Sequence, residues 1–163
     1  MDTLIAWTAN YLLWIMLAGA GAVWLFREDR DGRLRLAGAA VVGLLLTLGL
    51  IVVAAHLHND PRPFVVNPNL HPLISHSADN GFPSDHATAG GLIATLVWFR
   101  HRWFGLLLGL VAVGLAAARV AAHVHHVQDV VAGLALGALA ATAATFLVEA
   151  GFSRLRRGAA ARR

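Results

Sequence analysis

Residues 36–57, LAGAAVVGLLLTLGLIVVAAHL, decide the fold because this run of 22 residues has no charged side chain and only His56 near its end. As a helix it rises about 33 Å, which matches the roughly 30 Å hydrocarbon core of a bilayer. A second uncharged run covers residues 4–26. Charged residues make up 13% of the chain, whereas soluble domains carry about 25%. These patterns predict an all-α, integral membrane helical bundle.

Three further apolar runs, residues 87–99, 103–118 and 127–148, bring the predicted number of transmembrane helices to five. The run 87–99 rises only about 20 Å, so its polar beginning must be buried against protein or line a cavity, because lipid cannot satisfy polar groups. Glycine recurs through the runs, which is expected where membrane helices pack closely. We predict one transmembrane domain, residues 1–163, with a basic and frayed cytoplasmic tail at 153–163.

The basic residues are all arginines, and their distribution predicts an orientation. Eleven of the 13 lie in three segments, 27–35, 100–102 and 154–163, which five spans place on one side of the membrane. The positive-inside rule makes that side cytoplasmic, with the N-terminus outside and the C-terminus inside the cytoplasmic membrane. Arginines at span ends also explain the sequence pI of about 11.3, so no nucleic-acid partner is predicted. The absence of cysteine excludes a thiolate zinc site and a cysteine nucleophile.

Two polar clusters on the predicted outer side have the residue types of an anion site. Prolines on both sides of Arg62 keep its backbone extended, and an arginine fork binds phosphate oxygens bidentately. Ser84 or Asp85 can cap the helix that follows, leaving free N–H groups and the positive dipole end facing outward. His86 beside them is a possible proton donor. Each cluster alone also fits a headgroup-level arginine or an ordinary helix cap.

The third cluster runs from Arg119 to Asp129. His125 and Asp129 are four residues apart, so on a helix they share one face. A carboxylate there accepts the proton of one ring nitrogen and leaves the other free to attack. An ionisable residue at the start of a membrane span is costly and usually functional. His123 and His126 are interpreted as interfacial residues.

Taken in order, the clusters resemble the three-part signature of the type-2 phosphatidic acid phosphatase family. The matching pieces are Arg62-Pro63, then Pro83-Ser84-Asp85-His86, then Arg119-x5-His125-x3-Asp129. The stretches DPRPF at 60–64 and HSADNGFPSDH at 76–86 resemble more specifically the undecaprenyl-diphosphatase branch associated with bacitracin resistance. The resemblance covers residues 55–133, about half the chain.

The resemblance implies metal-independent and cofactor-independent phosphoryl transfer through a phosphohistidine. It makes His125 the nucleophile, Asp129 its orienting partner and His86 the general acid. The groups expected to hold phosphoryl oxygens are Arg62, Arg119, Ser84 and Asp85. The implied substrate is an undecaprenyl or other polyprenyl diphosphate among the membrane lipids, cleaved at the extracytoplasmic face. The oligomeric state stays open.

Three positions depart from the family pattern. Ala55 stands where the family has a lysine, and His56 or His58 is the candidate substitute for that cation. Ala118 replaces a serine that usually precedes the arginine of the third motif. Asp85 replaces a glycine found in many members, a variant that fits the diphosphatase branch.

Three alternatives remain at this level. A broader lipid phosphatase would act on phosphatidic acid or phosphatidylglycerol phosphate with the same residues. A histidine-ligated metal or haem membrane protein would use His123, His125 and His126, for example for zinc or copper, but would leave both arginines unexplained. A catalytically silent scaffold is conceivable because of Ala55.

Overall fold

The computed structural model describes the backbone of residues 1–160 and the side chains of residues 1–158, and the named elements of this part of the chain are all helices. The helices are α1 (Asp2–Phe26), α2 (Arg30–Leu57), α3 (Pro63–Val66), α4 (Asp85–Arg100), α5 (Arg102–Ala121) and α6 (Val127–Ala160). Four of them, α1, α2, α5 and α6, are long and apolar enough to cross a membrane. The all-α membrane bundle is therefore confirmed, while the count of five spans and the orientation of the termini stay predictions.

The short helix α4 is the centre of the bundle and packs against α1, α2, α5 and α6. Its 16 residues rise about 24 Å. Nine of them are buried, which confirms that this short run is surrounded by protein. Ser84 begins the helix, since its hydroxyl accepts a hydrogen bond from the Ala87 N–H. The cap thereby fixes which residues stand at the start of the most buried helix.

Glycines allow the backbones of α4 and α6 to touch. A Cβ added at Gly137 would lie 2.0 Å from the carbonyl oxygen of Thr88, and one added at Gly91 would lie 2.4 Å from that of Leu134. The prediction of close packing is confirmed at these two positions. It is wrong for Gly21, where no atom lies within 4 Å of an added Cβ.

Three charged segments, 27–35, 100–102 and 149–157, meet at one end of the bundle, which we call the arginine-rich end. Ion pairs join them: Arg100 with Glu28, Arg35 with Glu149, and Arg156 with Asp31. Their grouping agrees with the arginine pattern of the sequence. Residues 58–86 and 119–129 meet at the opposite end, which we call the cavity end.

The basic tail is more ordered than its composition predicted. Helix α6 continues without a break to Ala160, so the frayed end expected from Ser153 onward is wrong for these residues. Alanine and arginine are both good helix formers, and the Arg156 contact with Asp31 fastens the last turns to the bundle. Arg162 and Arg163 lie outside the described residues.

Candidate active site

Asn80 organises the loop that carries the first two clusters. Its side-chain oxygen accepts hydrogen bonds from the backbone N–H groups of Asp60 and Phe82, at 2.9 and 3.0 Å. Its amide nitrogen donates to the carbonyl oxygens of Ala55 and His58. The loop is thereby folded back against the end of α2. Sequence reasoning did not single out Asn80, although an Asn-Gly pair is a recognised turn signal.

Arg62 points inward from the start of α3 and is 5% exposed. Its backbone is extended, with φ −59° and ψ 152°, as the flanking prolines predicted, but the helical turn Pro63–Val66 that follows was not expected. Its Nε donates to Asp79 at 2.9 Å and its Nη1 to the Val124 carbonyl at 2.8 Å. The same Nη1 lies 3.3 Å from Nε2 of His125. The structure thus joins the first and third clusters.

His125 and Asp129 form the predicted pair, with 3.3 Å between Nδ1 and the carboxylate oxygen Oδ2. They are 3% and 0% exposed. The same oxygen accepts the backbone N–H of His126 at 2.8 Å. His125 precedes α6, which begins at Val127, so the pair forms across the helix start and not within the helix as expected. With Nδ1–H donated to Asp129, the lone pair of Nε2 is available for attack.

The charge state of His125 suits a nucleophile. Burial lowers the pKa of His125, the hydrogen bond to Asp129 raises it, and the nearby Arg62 lowers it again. The net pKa lies below the ordinary value of 6.5. The imidazole is therefore neutral at neutral pH, which an attacking nitrogen requires.

Arg119 is the most deeply buried cation, at 2% exposure. Its Nη1 donates a long hydrogen bond, 3.5 Å, to the Ala9 carbonyl. Its Nε and Nη2 have no partner in the part of the chain that the structure describes. Buried charged donors are normally paired. An anion that reaches this guanidinium would supply the missing acceptors.

The residues of the second cluster have two roles: one supports the helix starts, and the others line the cavity. Ser84 is fully buried: its hydroxyl caps α4, and its backbone N–H donates to the Asp129 carbonyl at 3.1 Å. It holds the α4 start against the α6 start and is absent from the cavity walls. Asp85 and His86, the next two residues, line the cavity. His86 thus faces the same space as His125, as the general-acid assignment requires.

These side chains surround a cavity of about 210 Å³ at the cavity end. Its polar and charged walls are Arg62, His76, Asp79, Asn80, Asp85, His86, Arg119 and His125. Ala55, at the position where the family has lysine, also lines it. The proposed substitutes lie elsewhere: the exposed His56 ring contacts the Val52 carbonyl, and His58 packs edge-on against Phe82. Neither histidine is brought into the cavity.

His76 is a cavity residue that sequence reasoning did not assign. Its ring lies 5.9 Å from that of His125, at 79°. Burial lowers the pKa of His76, and the charges of Arg62 and Arg119 lower it further. The available signal was its position inside the stretch 76–86 that resembles the diphosphatase branch.

One other group has the spacing of metal ligands. Ligand atoms of Asp60, His126 and Asp129 all lie within 4.8 Å of one another. An Asp60 oxygen already accepts hydrogen bonds from His126 and Gln128. The alternative metal site of His123, His125 and His126 is not formed. The ring of His123 is hydrogen-bonded to the His71 carbonyl and is not part of this group. Independence of metal stays a prediction.

Comparison with known proteins places this chain among membrane phosphatases. Residues 36–153 match the sequence profile of the PAP2 superfamily. The chain is 30% identical over 141 residues to the bacitracin transport permease protein BcrC of Bacillus licheniformis, covering 86% of this chain and 68% of that one. It is 28% identical over 135 residues to the undecaprenyl-diphosphatase BcrC of Bacillus subtilis, covering 82% and 68%. The crystal structure of LpxE from Aquifex aeolicus superposes with a TM-score of 0.72 at 20% identity, covering 88% of this chain and 84% of that one.

Proposed function

Since the chain belongs to the PAP2 superfamily and is a membrane hydrolase of phosphate esters, we propose that it converts a polyprenyl diphosphate, such as undecaprenyl diphosphate, to the monophosphate. The observation that carries this proposal is the buried His125–Asp129 pair, whose histidine shares one cavity with Arg119, a buried arginine with two donor nitrogens that have no partner among the described residues. Similarity to an undecaprenyl-diphosphatase supports the choice of substrate.

The first step is attack by Nε2 of His125 on the terminal phosphorus. An N–P bond forms while the bridging P–O bond breaks, and the polyprenyl monophosphate leaves with a proton from His86, which the negative charge of the bound diphosphate keeps protonated before attack. Asp129 accepts the Nδ1–H hydrogen bond and stabilises the positive charge that develops on the ring. Arg62 and Arg119 neutralise the phosphoryl oxygens, which is the main requirement of phosphoryl transfer.

The second step releases phosphate and restores the enzyme. His86, now neutral, accepts a proton from water as its oxygen attacks the phosphohistidine. A P–O bond forms, the N–P bond breaks, and both histidines return to their starting states. A single general acid and base thus serves both half-reactions.

The cavity end is proposed to face outward, with the arginine-rich end in the cytoplasm. The polyprenyl tail then stays in the bilayer while its diphosphate reaches the cavity. Because the chain has no cysteine, single cysteines at the exposed residues Asn69 and Gly158 report the orientation. An impermeant thiol reagent should label Asn69→Cys from outside and Gly158→Cys from inside. Labelling of both from one side contradicts the proposed topology.

The substrate is tested by phosphate release in detergent from four compounds: polyprenyl diphosphate, polyprenyl monophosphate, phosphatidic acid and phosphatidylglycerol phosphate. We expect the diphosphate to give the highest kcat/KM, with the same rate in EDTA. A preference for phosphatidic acid or phosphatidylglycerol phosphate would make the protein a broader lipid phosphatase. Loss of activity in EDTA, restored by a metal, would contradict the metal-independent mechanism.

A further inference from the structure

His76 stands in the cavity without an assigned role. It lies in the loop before α4, and its Nδ1 is buried with no hydrogen-bond partner among the described residues. Buried polar atoms are almost always paired. An unpaired ring nitrogen in a cavity wall therefore marks a place where a ligand atom completes the structure.

The surroundings of His76 identify the kind of ligand. Arg62, Arg119 and His125 are all close enough to act on its charge. Burial lowers the pKa of His76, and the charges of Arg62 and Arg119 lower it further. An anion between the arginines offsets the second of these contributions and favours an imidazole that donates. Ala55 also lines this cavity, and its side chain has no hydrogen-bond donor.

The position of the nucleophile His125 determines which part of a bound anion lies near His76. A phosphoryl group attacked by His125 carries three equatorial oxygens, and charge is spread over all three in the transition state. Arg62 and Arg119 supply two donor groups. His76 is edge-on to His125 with 5.9 Å between the ring centroids and lines the same cavity, so both rings can contact one phosphoryl group there.

We propose that His76 is the third donor to the phosphoryl group: its imidazole N–H binds a nonbridging oxygen of the phosphorus attacked by His125. This assignment rests on the proposed function, because it presumes that His125 is the nucleophile. It makes His76 a catalytic residue that stabilises the pentacoordinate geometry without forming or breaking a bond itself.

The test is binding of orthovanadate, which adopts the pentacoordinate geometry, to purified protein in detergent by calorimetry. His76→Ala should weaken binding about 10- to 100-fold, the range for a hydrogen bond to a charged group. Asparagine places an amide N–H near Nδ1, and glutamine places one near Nε2. One of His76→Asn or His76→Gln should recover most of the lost affinity and identify the donating nitrogen.

The matched control is His71→Ala, an exposed histidine in the same loop, which should bind vanadate as the wild type does. The proposal is overturned if His76→Ala binds vanadate normally, if neither amide variant recovers affinity, or if the wild type binds no vanadate. Vanadate binding requires no lipid. A wild type that binds vanadate through His76 but hydrolyses no polyprenyl diphosphate would therefore refute the substrate and keep the role of His76.

Discussion

Arg100 at the arginine-rich end and Arg119 at the cavity end differ in how their charge is compensated. At the arginine-rich end, Arg100 donates to both oxygens of Glu28, and His101 contacts the same carboxylate. The hydrogen bond from Arg100 lowers the pKa of Glu28, whereas burial raises it. The charges of Arg100 and His101 lower the pKa of Glu28 further. At the cavity end, Arg119 is more deeply buried, and no carboxylate of the described residues is hydrogen-bonded to it.

This difference predicts that Arg100 contributes mainly to stability and Arg119 mainly to function. A compensated charge pair contributes to folding, and removing one partner leaves the other buried and unpaired. An uncompensated buried cation costs folding energy and keeps its donors for a ligand. Substitutions at the two ends should therefore have different consequences, and the following experiments measure them.

The largest effect is expected at the nucleophile. His125→Ala should lower kcat by on the order of 10⁴- to 10⁶-fold, as removal of a catalytic nucleophile or its partner does. No phosphoenzyme should be trapped from any substrate. The control is His123→Asn, because His123 has φ 60° and asparagine tolerates that conformation. Loss of activity in the control with turnover retained in His125→Ala would show that the nucleophile is misassigned.

Removal of the general acid should have the next largest effect. His86→Ala should lose about 10²- to 10⁴-fold on a polyprenyl diphosphate, the usual contribution of proton transfer. A nitrophenyl phosphate has a leaving group that needs no proton, so it should recover part of that loss in His86→Ala and none in His125→Ala. Equal losses in the first-turnover rates on both substrates would exclude His86 as the proton donor, because water attack in the second step does not limit the first turnover.

Arg119 and Arg100 provide a direct comparison of the two ends. Arg119→Met should reduce kcat about 10²- to 10³-fold, as loss of a transition-state donor does, without lowering the free energy of unfolding. Arg100→Met should leave kcat unchanged and lower the free energy of unfolding by about 2–3 kcal/mol, because Glu28 loses its partner. Unfolding in detergent and steady-state kinetics on both variants measure this. If Arg119→Met destabilises as much as Arg100→Met, the contrast between the ends is wrong.

The smallest effect is expected when activity and stability are measured at low pH. Attack requires neutral His125, whose pKa lies below 6.5, so kcat/KM should persist as pH falls through 6.5 and decline only at lower pH. Glu28 has a folded pKa below its ordinary 4.5, so its contribution to stability is present above 4.5 and is lost as pH falls through the folded value. The two losses therefore follow separate titrations, that of His125 for activity and that of Glu28 for the fold. Coincident loss of activity and structure, followed by kinetics and circular dichroism, would contradict separate titration of the two ends.

Much of the fold followed from local patterns. The run 36–57 is uncharged and long enough to span a bilayer, so it predicts a membrane helix by itself. The run 87–99 is too short to span a bilayer, which predicted the buried position that α4 occupies. The pair His125–Asp129 was also readable, because a spacing of four residues suffices to bring the two side chains together even across a helix start. The motif order was enough for the family, which the comparison with known proteins confirmed.

Other features depend on chain segments far apart in sequence. Arg62 meets His125 across 63 positions, and Nε and Nη2 of Arg119 are free because no acceptor among the described residues reaches these two nitrogens. His76 faces the cavity while His56 and His58 do not, although all three histidines have the same chemistry. Hydropathy and short spacings act within a helix turn or along one span, so the sequence determines them directly. Charge compensation depends on which groups are neighbours in space, and only the packed bundle decides that.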